Sequence, residues 1–146
     1  MYIYLGADHR GFELKNRIAE WLKSESIPFM DFGATEYDAE DDYNVYAKNV
    51  AQAVLDSVEP DTFGILICGS AQGVAMQANR FDGIRAAICP DTATAIEARG
   101  HNDANILCIP ADQQIDNFAS LINSFLHTPP LEDPKYKRRN QELDEI

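Results

Sequence analysis

Two rhythms of apolar residues alternate along the chain. Residues 2–6, Tyr-Ile-Tyr-Leu-Gly, are short, apolar and β-prone, which predicts a first strand. Leu14, Ile18, Trp21 and Leu22 then return at helical spacing and predict a helix over 11–25. The stretch Ile-Pro-Phe-Met-Asp-Phe-Gly, residues 27–33, reads as a second strand closed by Gly33. Tyr43, Tyr46, Val50, Ala53 and Val54 mark one face of a second helix. Residues 63–68, Phe-Gly-Ile-Leu-Ile-Cys, are an unbroken apolar run, as expected of a strand covered on both faces. A helix over 72–80, a strand over 84–89 and a helix over 91–99 follow, then a strand over 104–109 and a helix over 113–126. After Thr-Pro-Pro, the polar segment 134–146 predicts a last helix. No internal repeat, low-complexity tract or linker divides the chain. The alternation predicts one α/β domain over 1–146, Rossmann-like and three-layered, with a parallel sheet between helices.

Composition narrows the function classes. A chain of 146 residues fits one domain, which can bury roughly 70% of its unfolded surface. At 45% hydrophobic and 25% charged it has the makeup of a globular protein. No apolar run approaches the roughly 20 residues of a membrane helix. The opening residues lack the basic and apolar regions of a secretory signal, and three cysteines do not make a disulfide framework, so a reducing cytoplasm is expected. The net charge of −12 argues against nucleic acid and anionic membrane as partners. A small anionic substrate remains compatible, because local basic groups decide its binding. No cysteine or histidine pair has zinc spacing, and the acidic run 36–43 lacks an EF-hand order. That run reads as a solvated loop leading into a helix, and no metal is expected.

In folds of this kind ligands bind beyond the carboxyl ends of the strands, where strand order reverses. Two segments carry chemistry there. Gly-Ala-Asp-His-Arg-Gly, residues 6–11, presents Asp8, His9 and Arg10 between glycines. Residues 64–73, Gly-Ile-Leu-Ile-Cys-Gly-Ser-Ala-Gln-Gly, deliver a thiol at Cys68 and a hydroxyl at Ser70 into a turn containing Gly69, Ala71 and Gly73. The pattern is neither a dinucleotide fingerprint nor a Walker loop. Its glycines permit tight turning, and main-chain N–H groups at a helix start can converge on an anion. A thiol at that position is expected to have a lowered pKa, making Cys68 a base or nucleophile facing an oxyanion cradle. Cys89 and Cys108 read as core residues. His101, Asn102 and Asp103 form a third polar cluster in a helix–strand turn, where plain turn chemistry is the bland alternative. Lys135, Lys137, Arg138 and Arg139 gather cations near the end of an acidic chain, either as a solvated face or as a phosphate clamp.

These segments, in this order, resemble the family of ribose-5-phosphate isomerase B and the galactose-6-phosphate isomerase subunits. The resemblance spans nearly the whole chain. It rests on GADHRGFELK, DFG, DDYNVYA, GILICGSAQG, ANRFDGIRAA and RGHNDANIL. It implies a cofactor-free aldose–ketose isomerase of sugar phosphates, with a five-stranded parallel sheet of order 2-1-3-5-4. It also implies a homodimer, or a tetramer built from one, whose active sites draw on two subunits, with the C-terminal helix reaching the partner. By the same resemblance Cys68 is the base that moves a proton between C2 and C1, and Ser70 assists at the sugar oxygens. The amides of residues 69–73 would hold the developing oxyanion, and His101 would open the ring. Asp8 and Asn102 would hold sugar hydroxyls, while His9 and Arg139 would contact the phosphate.

The chain departs from the family pattern at defined positions. Ala71 stands where a third glycine is usual, and Asn44 where proline is. Asp112 replaces an arginine that usually helps bind phosphate, and Lys135 and Tyr136 stand where arginine and histidine are common. Arg10 and Lys135 are the residues expected to restore positive charge. The favoured substrate is ribose 5-phosphate. The alternatives are another tetrose, pentose or hexose phosphate, a catalytically silent binding homologue, and a thiol enzyme or redox sensor using Cys68.

Overall fold

The computed structural model of the chain describes residues 1–115 and 117–145. Five strands, β1 (Tyr2–Ala7), β2 (Phe29–Asp31), β3 (Thr62–Cys68), β4 (Ala86–Ile88) and β5 (Ile106–Pro110), form one sheet. Its order is β2-β1-β3-β5-β4, and every pairing is parallel. Six α-helices connect and follow the strands: α1 (Phe12–Ser24), α2 (Tyr43–Asp56), α3 (Gln72–Ala78), α4 (Thr92–Asn102), α5 (Phe118–His127) and α6 (Pro134–Asp144). No helix among the described residues is long and apolar enough to cross a membrane.

Successive strand residues point to opposite faces, so each central strand feeds two cores. Ile3, Leu5, Phe63, Ile65, Ile67, Leu107 and Ile109 pack with Leu14, Ile18 and Leu22 of α1, Ala95 and Ala98 of α4, and Leu121, Ile122 and Phe125 of α5. Leu66, Cys68, Ile106 and Cys108 pack on the other face with Ala47, Val50 and Ala51 of α2 and Val74, Ala75 and Ala78 of α3. This two-sided burial explains why residues 63–68 are apolar without alternation. Cys89 and Cys108 are buried, as the core reading requires.

The element ends differ from the sequence-based expectation where tertiary context decides them. β2 and β4 are edge strands of three residues each, shorter than predicted because each pairs on one side only. α4 runs through Asn102 and stops at Asp103, which takes the left-handed conformation (φ 45°) and donates its N–H to the Ala98 and Arg99 carbonyls. His101 and Asn102 therefore occupy the last turn of a helix, not the turn that follows it. Residues 111–113 form a 3-10 turn, and Gln114 at φ 49° breaks the chain direction, so α5 begins at Phe118, well after residue 113. Asp116, within the helix predicted over 113–126, lies outside the described residues, as does Ile146 at the end of the predicted last helix.

α6 buries no residue of its own. Arg85, just before β4, holds it: the guanidinium donates to both carboxylate oxygens of Asp144 at 2.7 and 2.6 Å. The same side chain donates to the main-chain carbonyls of Asn102 (2.8 Å) and Asp103 (3.1 Å). Asn140 adds a bond to the His101 carbonyl at 3.2 Å. Arg85 thus joins α6 to the end of α4.

Candidate active site

β1 and β3 are neighbours in register Ala7↔Ile67, so their next residues, Asp8 and Cys68, emerge side by side at the carboxyl edge of the sheet. The chain winds away from this point in both directions, which makes it the expected ligand crevice. The Cys68 thiol donates to Oδ2 of Asp8 at 3.1 Å. Oδ1 of Asp8 accepts the main-chain N–H groups of Arg10 (3.0 Å) and Gly11 (3.2 Å), capping a 3-10 turn over His9–Gly11. Asp8 and Cys68 are only 4% and 7% exposed, so each shields the other's polar atoms from water.

This environment overturns the expected lowering of the Cys68 pKa. Burial first, then the hydrogen bond and charge of Asp8, push the thiol up to about 12. The main-chain N–H groups of Gly69 and Ala71 pull in the opposite direction, favouring thiolate, but are outweighed. Cys68 rests as a thiol hydrogen-bonded to the Asp8 carboxylate.

The following turn keeps a tight conformation without a third glycine. Ala71 adopts φ 63° and caps α3, a region that costs an L-residue about 1–2 kcal/mol and glycine little. Ser70 is exposed, and its Oγ accepts the Gln72 N–H at 3.3 Å. Gly73 is required by close approach, since a Cβ there would sit 2.6 Å from the ring of Tyr43. Arg10 lies across Gly69, where its guanidinium pairs with the Asp112 carboxylate, and the Asp112 N–H donates to the Gly69 carbonyl at 3.0 Å. Arg10 therefore does not supply the free positive charge expected of it, because its guanidinium is paired with Asp112.

His9 is held from the loop before α2. Its Nδ1 lies 2.8 Å from Oδ1 of Asp41, and its main-chain N–H donates to the same oxygen at 3.1 Å. The Tyr46 hydroxyl donates to Oδ2 of Asp41 at 3.1 Å, and Tyr37 meets the imidazole edge-on. The hydrogen bond to Asp41 is the main cause of a raised His9 pKa, with burial opposing it and the Asp8 and Asp41 charges adding to it. Asp8, His9 and Asp41 bring one polar atom each within 4.8 Å of one another. The carboxylate oxygens involved already accept N–H, S–H or O–H groups of the protein. Asp41 and Tyr46 escaped the sequence reading. Asp41 sits in an acidic run that otherwise looks solvated, and Tyr46 counts toward the apolar face of α2. The side chain of Asp41 is only 6% exposed.

The remaining expected site residues gather at the opposite edge of the sheet. α4 descends from the carboxyl end of β4 and ends at Asn102, four residues before β5 begins. β5 starts beside Gly64, whereas Cys68 lies beside Pro110. Four strand residues, about 13 Å, thus separate the level of Cys68 from the start of β5, and His101 and Asn102 lie beyond it. Tyr136 of α6 stacks on the His101 ring at 5.2 Å with the planes 7° apart. Lys135 reaches over the Tyr136 ring at 5.1 Å, and Arg139 lies exposed one turn further on. The chain therefore joins Asp8, His9, Arg10, Cys68 and Ser70 in one cluster and His101, Asn102, Lys135 and Arg139 in another.

Known proteins share both the sequence pattern and this fold. The family described as Ribose/Galactose Isomerase matches residues 3–143. Ribose-5-phosphate isomerase B of Mycobacterium tuberculosis is 36% identical over 140 residues, covering 95% of this chain and 85% of that protein. The crystal structure of a ribose 5-phosphate isomerase from Thermotoga maritima superposes with a TM-score of 0.89 at 38% identity, covering 99% of this chain and 98% of that one. Ribose-5-phosphate isomerase B of Mycoplasma genitalium, solved with bound ribulose-5-phosphate, gives 0.87 at 33% identity over 99% and 95% of the two chains. The matched span, the 2-1-3-5-4 sheet and the edge that joins Asp8 to Cys68 make this chain a member of the ribose/galactose isomerase family.

Proposed function

We propose that the protein interconverts ribose 5-phosphate and ribulose 5-phosphate through an enediolate. The observation that carries this reading is the Cys68 thiol held against the Asp8 carboxylate at the crevice of the sheet. Isomerisation of an aldose needs a base for the proton on C2 and donors for the oxygen that becomes negative. Asp8 takes the thiol proton, and the thiolate, favoured by the Gly69 and Ala71 N–H groups, removes the proton from C2. The C2–H electrons form the C1–C2 double bond and the C1 carbonyl electrons move onto its oxygen. The resulting S–H returns its proton to C1, while Ser70 assists proton movement between the two sugar oxygens. Gly73 and its neighbours supply main-chain N–H groups to the enediolate.

The second cluster supports a site completed by a partner subunit. His101 is the ring-opening acid–base, Asn102 holds sugar hydroxyls, and Lys135 and Arg139 bind the phosphate with His9. None of the four helix-borne residues reaches Cys68 of its own chain, so a homodimer that places one subunit's sheet edge against the other's α4–α6 end supplies what the protomer lacks. Interfaces of two-fold symmetry then yield two equal sites.

The experiment is incubation with a panel of aldose and ketose phosphates in heavy water, followed by NMR, with Cys68→Ala and His101→Ala in parallel. Conversion of ribose 5-phosphate with solvent deuterium entering the sugar, abolished in Cys68→Ala, is the expected result. Conversion of a different sugar phosphate would keep the mechanism and assign the change of substrate to Asp112 and its hold on Arg10. No deuterium in any sugar would overturn the isomerase reading.

A further inference from the structure

The mechanism above leaves one well-built feature unused, the contact of His9 with the loop before α2. Three bonds meet at Asp41: from the His9 ring at 2.8 Å, from the His9 main chain at 3.1 Å and from the Tyr46 hydroxyl at 3.1 Å. A carboxylate that accepts at Nδ1 selects the tautomer protonated there and leaves Nε2 as the free nitrogen. The main-chain bond to the same oxygen fixes the ring's position relative to its own backbone, and Tyr46 fixes the carboxylate. Gly33 makes room for this arrangement, since a Cβ there would come within 2.8 Å of the Tyr46 ring.

We propose that Asp41, clamped by Tyr46, is the positioning residue for His9, directing its Nε2 at the phosphate of the substrate. Identification of the ligand rests on the isomerase reading; the pairing itself does not. The groups around the imidazole are Asp8 and Arg10 from its own turn, Asp41 and Tyr37 from the loop, and Tyr46 of α2 acting through Asp41. The acidic groups dominate, so the ring keeps its second proton to higher pH than an ordinary histidine, which favours an anionic partner at Nε2. The acidic run thereby has a defined internal partner, although its charge would otherwise repel the substrate.

The test combines nitrogen-15 NMR of the imidazoles with steady-state kinetics. The chain has three histidines, so His9→Gln assigns the signal. In the wild type the Nδ1 proton of His9 persists across the titration while Nε2 loses its proton, with a midpoint above the ordinary histidine range. Asp41→Asn lowers that midpoint and mixes the tautomers. It raises KM for ribose 5-phosphate roughly tenfold at neutral pH, the loss of one charge-assisted hydrogen bond, and leaves kcat close to wild type. Tyr46→Phe moves the same signals part of the way. Residual Asp41→Asn protein that is folded but unchanged in His9 titration, tautomer and KM would overturn the proposal. Absence of turnover in the wild type would strike the isomerase reading alone. In that case the proposal is decided by whether ribose 5-phosphate shifts the His9 Nε2 signal in the wild type and not in Asp41→Asn.

Discussion

The Cys68 sulfur and the Asp8 carboxylate meet at 3.1 Å between the ends of two neighbouring parallel strands, and both are buried. The carboxylate finds donors on both oxygens, and the thiol finds an acceptor. The same contact that stabilises the pair suppresses the free thiolate. A thiol kept protonated in this way is also protected from adventitious alkylation and oxidation.

Thiol reactivity checks this directly. At pH 8 a small alkylating reagent should modify Cys68 slowly, and its rate should still be climbing at pH 10, consistent with a pKa of about 12. Asp8→Asn removes the acceptor charge that raises the thiol, so alkylation at pH 8 should accelerate by roughly tenfold or more, one pKa unit being tenfold in thiolate. An unchanged rate in Asp8→Asn, measured by mass spectrometry of the Cys68 peptide, would mean that burial alone governs the sulfur.

Subunit mixing checks whether sites are shared. Cys68→Ala and His101→Ala should each be inactive as pure proteins. When the two are mixed, dissociated and reassociated, half of the dimers are mixed and each has one intact site, so about one quarter of wild-type activity should return. No recovery would mean that Cys68 and His101 do not meet across a subunit boundary.

Asp112 sets the charge at the mouth of the crevice by holding Arg10. Asp112→Asn should release that guanidinium and lower KM for a phosphorylated sugar several-fold, an effect that weakens with added salt because the pair is exposed. Arg10→Ala should abolish the gain when combined with it. The measurement is KM at two ionic strengths for the two single variants and the double variant.

Alkaline stability should reflect the buried thiols. Cys89, like Cys68, is raised by burial to about 12, and Cys108 is raised further for the same reason. Unfolded, these groups ionise near 8.5. Their stabilisation is therefore complete below that pH and is lost as pH rises through the folded value, each by at most about 1.4 kcal/mol per pH unit. Tm should fall between pH 8.5 and 10.5, and less steeply in Cys89→Ala than in the wild type.

The sheet and its helices were legible because two-sided burial of a parallel sheet writes itself as apolar runs and amphipathic helices. Leu66 and Ile67 serve different cores, yet both had to be apolar. The resemblance placed Asp8, Cys68 and the glycines around it together, and the fold brings them to one edge. Electrostatic detail was not legible. The helix predicted from residue 72 suggested a lowered thiol pKa, but the sign depended on Asp8, sixty residues away, and on desolvation that only packing reveals. Arg10 and Asp112, 102 residues apart, likewise read as separate charges until the ends of β1 and β5 brought them together. Asp41 was hidden by its acidic neighbours, whose composition describes a solvated loop correctly except at the one carboxylate that turns inward. The level of His101 relative to Cys68 followed from where α4 ends, and a helix end is poorly marked by periodicity alone.

The uncoupling of α6 from either core has an evolutionary consequence. A helix with no fully buried residue can change much of its sequence without asking the rest of the molecule to repack, provided Tyr136, Asn140 and Asp144 keep their contacts with His101 and Arg85. Lys135, Tyr136 and Arg139 stand on that helix, while Asp8 and Cys68 stand on the sheet edge. Drift along this one surface helix can therefore change the charges it carries while the sheet edge is inherited intact.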